Sequence, residues 1–508
     1  MKQRTYWAVL LALAASFSAC LPAPASQPEQ IRAATDESQA QAKSQFAQFV
    51  GVCQASVQPE QADIWNNLSF IRNDLSWGTL QPTGPTDWNA RYLEEWGAQV
   101  LRNREHGVET LPTLDFMVPW AARRRAWSYT VGDKRYDVLA GEGERRDVIV
   151  VDLKTGERET TTISAGRIPP ENIADWENYV ERVVSFLSQP PYNVKYFQPW
   201  NEAHDEHTGF WYGGLDEYMR TIHLPAAHII RKHGCKVVFG GYPCCGSMKR
   251  LVEICEKYDA WDTLDVLDIH YFPLSAWEYL YRRALAPNKV WGLWQTEIGF
   301  TTSTGWVPNN YPRFFYWALQ HGWEPDRYRI FQFAYWSPDD PKAYGYKCSL
   351  LSGNKPSHHG RALITLGKLL DSTRIVPYIS WRTEPVLHTE LSERQSSVEG
   401  FLARRRIVLA VHLMKNNVSA LFTDWNRTMD SMHLGWPSTT VKIWLPMVSP
   451  AEVKSATRVG IYGSRTPLTV QPDREGICLT VPVADTDSEE RKANDAASAT
   501  TFYISVER

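Results

Sequence analysis

Two glutamates stand directly after apolar, strand-like runs. Glu202 closes Val194-Lys-Tyr-Phe-Gln-Pro-Trp-Asn-Glu, and Glu297 closes Val290-Trp-Gly-Leu-Trp-Gln-Thr-Glu. A charged residue where a buried strand leaves the core lies where barrel and open α/β folds assemble their sites, so two such carboxylates imply one shared site. The chemistry that asks for two positioned carboxylates and no cofactor is hydrolysis of a glycosidic bond. One carboxylic acid protonates the leaving oxygen, while the other carboxylate attacks the anomeric carbon or activates water. Carboxyl groups about 5–5.5 Å apart suit direct attack, and a gap beyond about 6.5 Å suits an intervening water.

Other strand ends carry polar and aromatic residues. The second run ends with Arg72 and Asp74, followed by Trp77; the third ends near Asp115 and Trp120; the sixth reads Asp268-Ile-His270-Tyr271; the eighth reads Ala334-Tyr335-Trp336. Tyr271 is a candidate hydrogen-bond donor to Glu297, and His270 a candidate substrate contact. An indole is a large plate with one donor, suited to the apolar face of a sugar ring. The chain has 22 Trp, so sugar platforms are available: Trp336 is the first candidate, Trp120 the second, and Trp77, Trp211 and Trp306 would extend a cleft. Glu202 needs a proton when the bond breaks, and apolar surroundings beside Trp200 would raise its pKa.

These side chains need a scaffold that brings strand ends together. Eight apolar or β-branched runs occur near Phe46–Cys53, Phe70–Asp74, Glu109–Phe116, Val194–Pro199, Lys236–Gly240, Val266–His270, Val290–Thr296 and Arg329–Trp336. Helical spacing separates them, as in Trp176-Tyr179-Val180-Val183-Val184-Leu187 and Leu215-Tyr218-Met219-Ile222, with a last helix over Arg361–Leu370. Repeated βα units of this number predict an α/β fold, a closed (β/α)8 barrel over residues 46–372. Residues 121–170 lengthen the loop after the third strand and contain a hairpin at Asp147-Val-Ile-Val-Val-Asp-Leu and Glu159-Thr-Thr-Thr-Ile. After Asp371 short alternating strands without helices predict an antiparallel β-sandwich over 373–508.

At 508 residues the chain exceeds a single barrel of about 250 residues, in keeping with a second domain. A net charge of −3 gives no electrostatic reason for a nucleic-acid partner. Lys2 and Arg4, an apolar run over Tyr6–Ala15 and the small residues before Cys20 predict a signal peptide over 1–20 of the lipoprotein type, with Cys20 lipidated, or ordinary cleavage nearby. Residues 21–45 read as a tether. An exported, membrane-anchored, periplasmic or secreted protein follows. Seven further cysteines leave disulfide connectivity open, and vicinal Cys244-Cys245 is a poor zinc pattern. His204-Asp-Glu-His207 lacks helical spacing for a metal and is expected to shape a subsite or bond loop backbone.

The strings around the two glutamates resemble glycoside hydrolase clan A, whose members end strand four with Asn-Glu and strand seven with Glu. Trp200-Asn-Glu-Ala followed by Phe210-Trp211 and Glu217-Tyr218 is most similar to family 39 and its neighbours. The resemblance implies a retaining double displacement with Glu297 as nucleophile and Glu202 as acid/base. It places Asn201 on the sugar 2-hydroxyl and Arg72 close to Glu297, with a carbohydrate substrate, no cofactor and no metal. Two other readings stay open: a surface carbohydrate-binding protein that has lost catalysis, and a transglycosylase or phosphorylase using the same pair. Sugar, linkage, exo or endo action and oligomeric state are not specified by these residues.

Overall fold

The computed structural model describes residues 43–205, 209–299, 306–340, 342–343, 348–389, 395–414, 439–485, 487–496 and 499–508. The expected signal peptide, Cys20, the tether before Lys43, and His207 lie outside these residues. Lys43–Arg508 forms one compact unit.

Its centre is a nine-stranded parallel sheet. In chain order the strands are β1 (Val50–Cys53), β2 (Phe70–Ser76) and β3 (Glu109–Asp115). A separate antiparallel sheet follows, with β4 (Trp127–Val131), β5 (Lys134–Val138), β6 (Arg145–Asp152) and β7 (Arg158–Ser164). The central sheet resumes with β8 (Tyr196–Pro199), β9 (Lys236–Val237), β10 (Tyr242–Pro243), β11 (Val266–His270), β12 (Gly292–Ile298) and β13 (Tyr328–Gln332). Pairing runs β10-β11-β12-β13-β1-β2-β3-β8-β9. The two ends belong to one chain segment, since β9 pairs with β8 and β10 with β11. Between them Asp265 N–H donates to Val237 O (3.1 Å) and Phe239 N–H to Val266 O (2.9 Å), so the curled sheet meets itself.

Inside the curl, period-two alternation builds layers. One apolar cluster takes Cys53, Phe70, Leu111, Tyr196, Val266, Trp294 and Phe331 from seven of these strands, with Val238 just after β9. A Cβ on Gly51 would come within 2.6 Å of the Phe331 ring, so only glycine fits there. Two residues further along five of these strands the buried side chains turn polar: Arg72, Thr113, Gln198, Asp268 and Thr296. Glu297 is out of phase with Thr296. A register shift between Gln295 and Ile298 re-aims it into the same interior, the usual effect of a bulge.

Helices cover the outside, including Ala90–Glu105, Ile173–Leu187, Leu224–Lys232, Met248–Lys257, Trp306–Gln320 and His358–Leu369. The Ile173–Leu187 helix starts at Asn172, whose side chain accepts from Ala174 N–H, and buries Trp176, Tyr179, Val180, Val183, Val184 and Leu187.

Four expectations change. The first run is helical over Gln45–Phe49, because Ser44 caps it by accepting from Ala47 N–H, and only Val50–Cys53 is strand. Phe46 and Phe49 pack against Phe315 there, with ring centroids 5.5 and 5.3 Å apart. The eighth strand stops at Gln332, and Trp336–Ser337 joins Leu351–Ser352 and Lys355–Pro356 in a small sheet. The insert is a four-stranded antiparallel meander rather than one hairpin, because β4 pairs with β5 and β5 with β6 as well as β6 with β7. Helix Ser488–Ala496 interrupts the C-terminal strands.

Residues beyond Ile375 form a six-stranded and a four-stranded antiparallel sheet. Val398, Leu409 and Phe502 from the first share one apolar cluster with Ile443, Ile477 and Leu479 from the second.

Candidate active site

Parallel strands end at one rim of the curled sheet, which gathers β2, β8, β11 and β12 residues that are remote in sequence. Arg72 on β2 is buried and spends all its polar faces there. Its Nη1 donates to Glu297 Oε1 (2.7 Å), its Nη2 to Asn201 Oδ1 (2.7 Å) and its Nε to Gln198 Oε1 (2.6 Å). Arg72 thus pairs with Glu297. Tyr271 O–H donates to the other oxygen of Glu297, Oε2, at 2.7 Å.

Glu202 is held from the opposite side. His270 Nδ1 lies 2.9 Å from Glu202 Oε1 and 3.7 Å from Glu297 Oε1, so the imidazole stands between the two carboxylates. Its Nε2 lies 3.0 Å from Thr296 Oγ1, and the Thr296 hydroxyl donates to Asp268 Oδ2 at 2.5 Å. Asp268 also accepts Thr296 N–H (2.8 Å) and the Gln198 side-chain amide. Gln198 closes a loop back to Arg72. One buried network therefore joins both glutamates.

One ligand atom each of Glu202, His270 and Glu297 lies within 4.8 Å of the other two, so an oxygen of one glutamate faces an oxygen of the other across the site. Such a cluster invites a metal reading, but Arg72 and Tyr271 already meet both oxygens of Glu297 and His270 meets one of Glu202. A guanidinium 2.7 Å away repels a second cation, so the donor set does not fit a metal.

Electrostatics follow from burial and these partners. Burial would lower the His270 pKa, but Glu297, Asp268 and Glu202 outweigh it and raise it to about 9, which favours the imidazolium, the form able to donate from both nitrogens. Burial raises the Glu297 pKa, opposed by His270, Arg72 and the Tyr271 hydrogen bond. Burial carries the Asp115 carboxyl well up as well, at the end of β3, where its Oδ2 has no partner.

Three non-glycine residues here have left-handed backbone: Trp200 (φ 74°), Glu202 (φ 52°) and Tyr271 (φ 60°). Such conformations cost energy and gather where side-chain aim matters. Backbone bonds hold each one: Trp200 N–H to Leu114 O (2.9 Å), Glu202 N–H to Gly240 O (2.8 Å) and Tyr271 N–H to Glu297 O (3.0 Å).

Of the residues proposed from sequence, Glu202, Glu297, Asn201, Arg72, His270 and Tyr271 come together. Trp336 lies on the same strand-end side with 42% of its surface exposed. Trp120 is half-buried; its indole N–H donates to Gln81 O (2.7 Å) and its ring meets Trp77 edge-on. Trp77 and Trp211 are core residues instead of cleft walls: Trp77 stacks on Tyr179 at 5.1 Å, and Trp211 packs edge-on against Trp200. Trp306 is half-buried and meets Tyr311 edge-on. Asp205 accepts Leu215 N–H (2.7 Å) and Arg250 Nε (2.6 Å), a loop-backbone role of the kind expected for that segment. Gln198 and Thr296 escaped sequence reading, although each lies two positions beyond an inward aromatic, Tyr196 and Trp294, which is the signal that finds them.

No protein-family model and no curated protein matches the chain in sequence. Solved structures do match. One is a family 39 glycoside hydrolase from the gut symbiont Bacteroides cellulosilyticus WH2, with TM-score 0.52, 13% identity, and 91% of this chain and 81% of that one covered. Another is a glycoside hydrolase family 30 subfamily 8 xylanase from Clostridium acetobutylicum, with TM-score 0.49, 9% identity and coverage of 92% and 98%. The likeness to the family 39 structure shows the fold: a mixed α/β chain with a curled parallel sheet of the barrel glycosidase kind.

Proposed function

We propose that this protein is a retaining glycoside hydrolase acting on an oligo- or polysaccharide. The observation that carries the reading is the approach of Glu202 and Glu297 oxygens to within 4.8 Å, each carboxylate held by a different set of donors. Glu297, oriented by Arg72 and Tyr271, attacks the anomeric carbon. Glu202 gives its proton to the leaving oxygen, and the carboxylate so formed is stabilised by the His270 imidazolium on Oε1. A water then enters, gives its proton back to Glu202 and releases the sugar from Glu297. Asn201, whose Oδ1 is fixed by Arg72, presents its amide N–H2 to the sugar 2-hydroxyl. Trp336 offers its exposed face beneath the ring.

In this reading the curled sheet is a closed (β/α)8 catalytic domain spanning about residues 46–372, and the two C-terminal sheets form a β-sandwich domain over 373–508 that supports it. The basic and apolar start of the chain and Cys20 suit an exported, lipid-anchored enzyme.

The test is hydrolysis of aryl α- and β-glycosides by wild type, Glu202→Ala and Glu297→Ala, with azide added. Rescue of Glu202→Ala to a glycosyl azide of retained configuration, and of Glu297→Ala to the opposite anomer, is the expected result. Turnover that survives either substitution moves the catalytic pair elsewhere. A wild type that binds oligosaccharide without cleaving any substrate overturns the proposal in favour of a binding protein.

A further inference from the structure

Seven cysteines fall within the described residues, and two differ from the rest. Cys53, Cys235, Cys255, Cys348 and Cys478 are buried, whereas Cys244 and Cys245 are exposed. Burial raises the thiol pKa of Cys235 to about 11 and of Cys348 to about 12, and it raises Cys53 and Cys255 too. A thiol reacts as its thiolate and only where a reagent can reach it, so the buried five are inert.

The exposed pair has a defined frame. β10 ends at Pro243, whose register partner on β11 is His270. Gly246 N–H donates to Pro243 O at 2.9 Å, which makes Pro243-Cys244-Cys245-Gly246 a four-residue turn with the cysteines at its two central positions. Gly246 is seated against the Tyr242 ring, which stacks on Phe272. The turn is therefore anchored at both ends. Cys245 Sγ lies 3.9 Å from Nδ1 and 3.8 Å from Nε2 of the buried His204, so the thiol sits against the imidazole edge. Gly240, just before β10, accepts the Glu202 N–H at 2.8 Å, which sets the turn on the Glu202 side of the cleft; burial and then the charge of Glu202 push the Cys244 thiol up.

We propose that Cys244 and Cys245 form a redox-active vicinal dithiol at the cleft rim, oxidised by small disulfides of the glutathione type. Cys245 thiolate attacks one sulfur of the disulfide, forming a mixed disulfide and releasing one thiol. Cys244 then attacks the Cys245 sulfur and releases the second thiol. The protein loses two protons and two electrons in all, and the small disulfide is reduced to two thiols. Neighbouring Cα atoms are about 3.8 Å apart, below the spacing at which disulfides are relaxed. Strained and exposed disulfides are the readily reduced ones, which makes this ring a reversible switch instead of a structural staple. Closing it removes thiol donors and stiffens the turn beside Glu202, which rests on the glycosidase reading for its effect on the leaving group.

Full-length protein is equilibrated in reduced and oxidised glutathione mixtures, the remaining thiols are alkylated, and peptides are mapped by mass spectrometry. The expected result is loss of two hydrogens confined to the Cys244–Cys245 peptide and reversed by reduced glutathione, with the buried cysteines alkylated only after unfolding. Both thiols remaining alkylatable in excess oxidised glutathione, or a mixed disulfide that never resolves, overturns the proposal. A Cys244→Ser variant should stop at the mixed disulfide on Cys245; ring formation elsewhere overturns it equally. Where turnover is measurable, oxidation should change kcat/KM severalfold more for a disaccharide than for a small aryl leaving group, and not in the double variant Cys244→Ser/Cys245→Ser. Identical kinetics in both redox states overturns the cleft placement. A protein with no turnover on any glycoside fails the glycosidase reading alone, since mass mapping still decides the dithiol.

Discussion

His270 Nδ1 stands 2.9 Å from Glu202 Oε1 while its other nitrogen reaches Asp268 through the Thr296 hydroxyl. The proposed acid/base is thus tied to a buried cation, and that cation to a buried anion. A pH dependence follows directly.

The His270 pKa is raised from 6.5 to about 9, so its contribution to stability is complete below pH 6.5 and is lost as pH rises through 9. Thermal unfolding temperature should fall between those values, and much less in His270→Gln. A wild-type midpoint that stays flat across this window contradicts the assignment.

Asp268 makes no expected contact with substrate, yet it balances His270 and Arg72 through Thr296 and Gln198. Asp268→Asn removes that charge and should shift the alkaline limb of kcat/KM to lower pH, because His270 then loses its proton more readily. A purely structural role predicts a lower unfolding temperature with the pH profile unmoved.

Arg72 donates to Glu297, and its substitution leaves Asn201 Oδ1 without that donor and Gln198 Oε1 with the Thr113 hydroxyl alone. Arg72→Met should lower kcat/KM by about a hundredfold or more, the scale of one lost transition-state donor. Arg72→Lys keeps the charge but not the three-way fork and should recover only part of the loss.

Tyr271→Phe deletes a single hydrogen bond to a carboxylate, worth about 1.5–3 kcal/mol, or about ten- to a hundredfold in rate. The fall should appear in steady-state kinetics of an aryl glycoside, with a lower unfolding temperature beside it because the same bond is made in the free protein. An unchanged rate would remove Tyr271 from the site.

The tryptophans separate by burial. Trp77→Ala empties a fully buried position stacked on Tyr179 and should cost about 3–5 kcal/mol in chemical denaturation. Trp336→Ala, at 42% exposure, should leave stability unchanged and raise KM. The reverse pattern would exchange their roles.

Local sequence carried much of this protein. Alternating and continuous apolar runs located eight of the nine strands of the curled sheet and missed the two-residue β10, because a strand buried on both faces must be apolar and its polar exceptions stand out. Asn201-Glu202 and Glu297 were visible for that reason. Helix Gln45–Phe49 was hidden, since a Ser44 cap decided between two states that the same apolar residues allow. The indoles looked alike in sequence, and only packing sorted Trp77 and Trp211 into the core and left Trp336 exposed.

What only tertiary structure decided was partnership. Arg72, Gln198, Asp268, Thr296 and His270 come from four strands, and their meeting depends on the curl of the sheet and its layers. The bulge that turns Glu297 inward is a register event between strands, so no spacing within β12 announces it. Residue type and strand-end position are local properties legible along the chain. Charge balance, hydrogen-bond partners and the approach of two carboxylate oxygens to within 4.8 Å arise from contacts between segments far apart in sequence, and folding alone creates them.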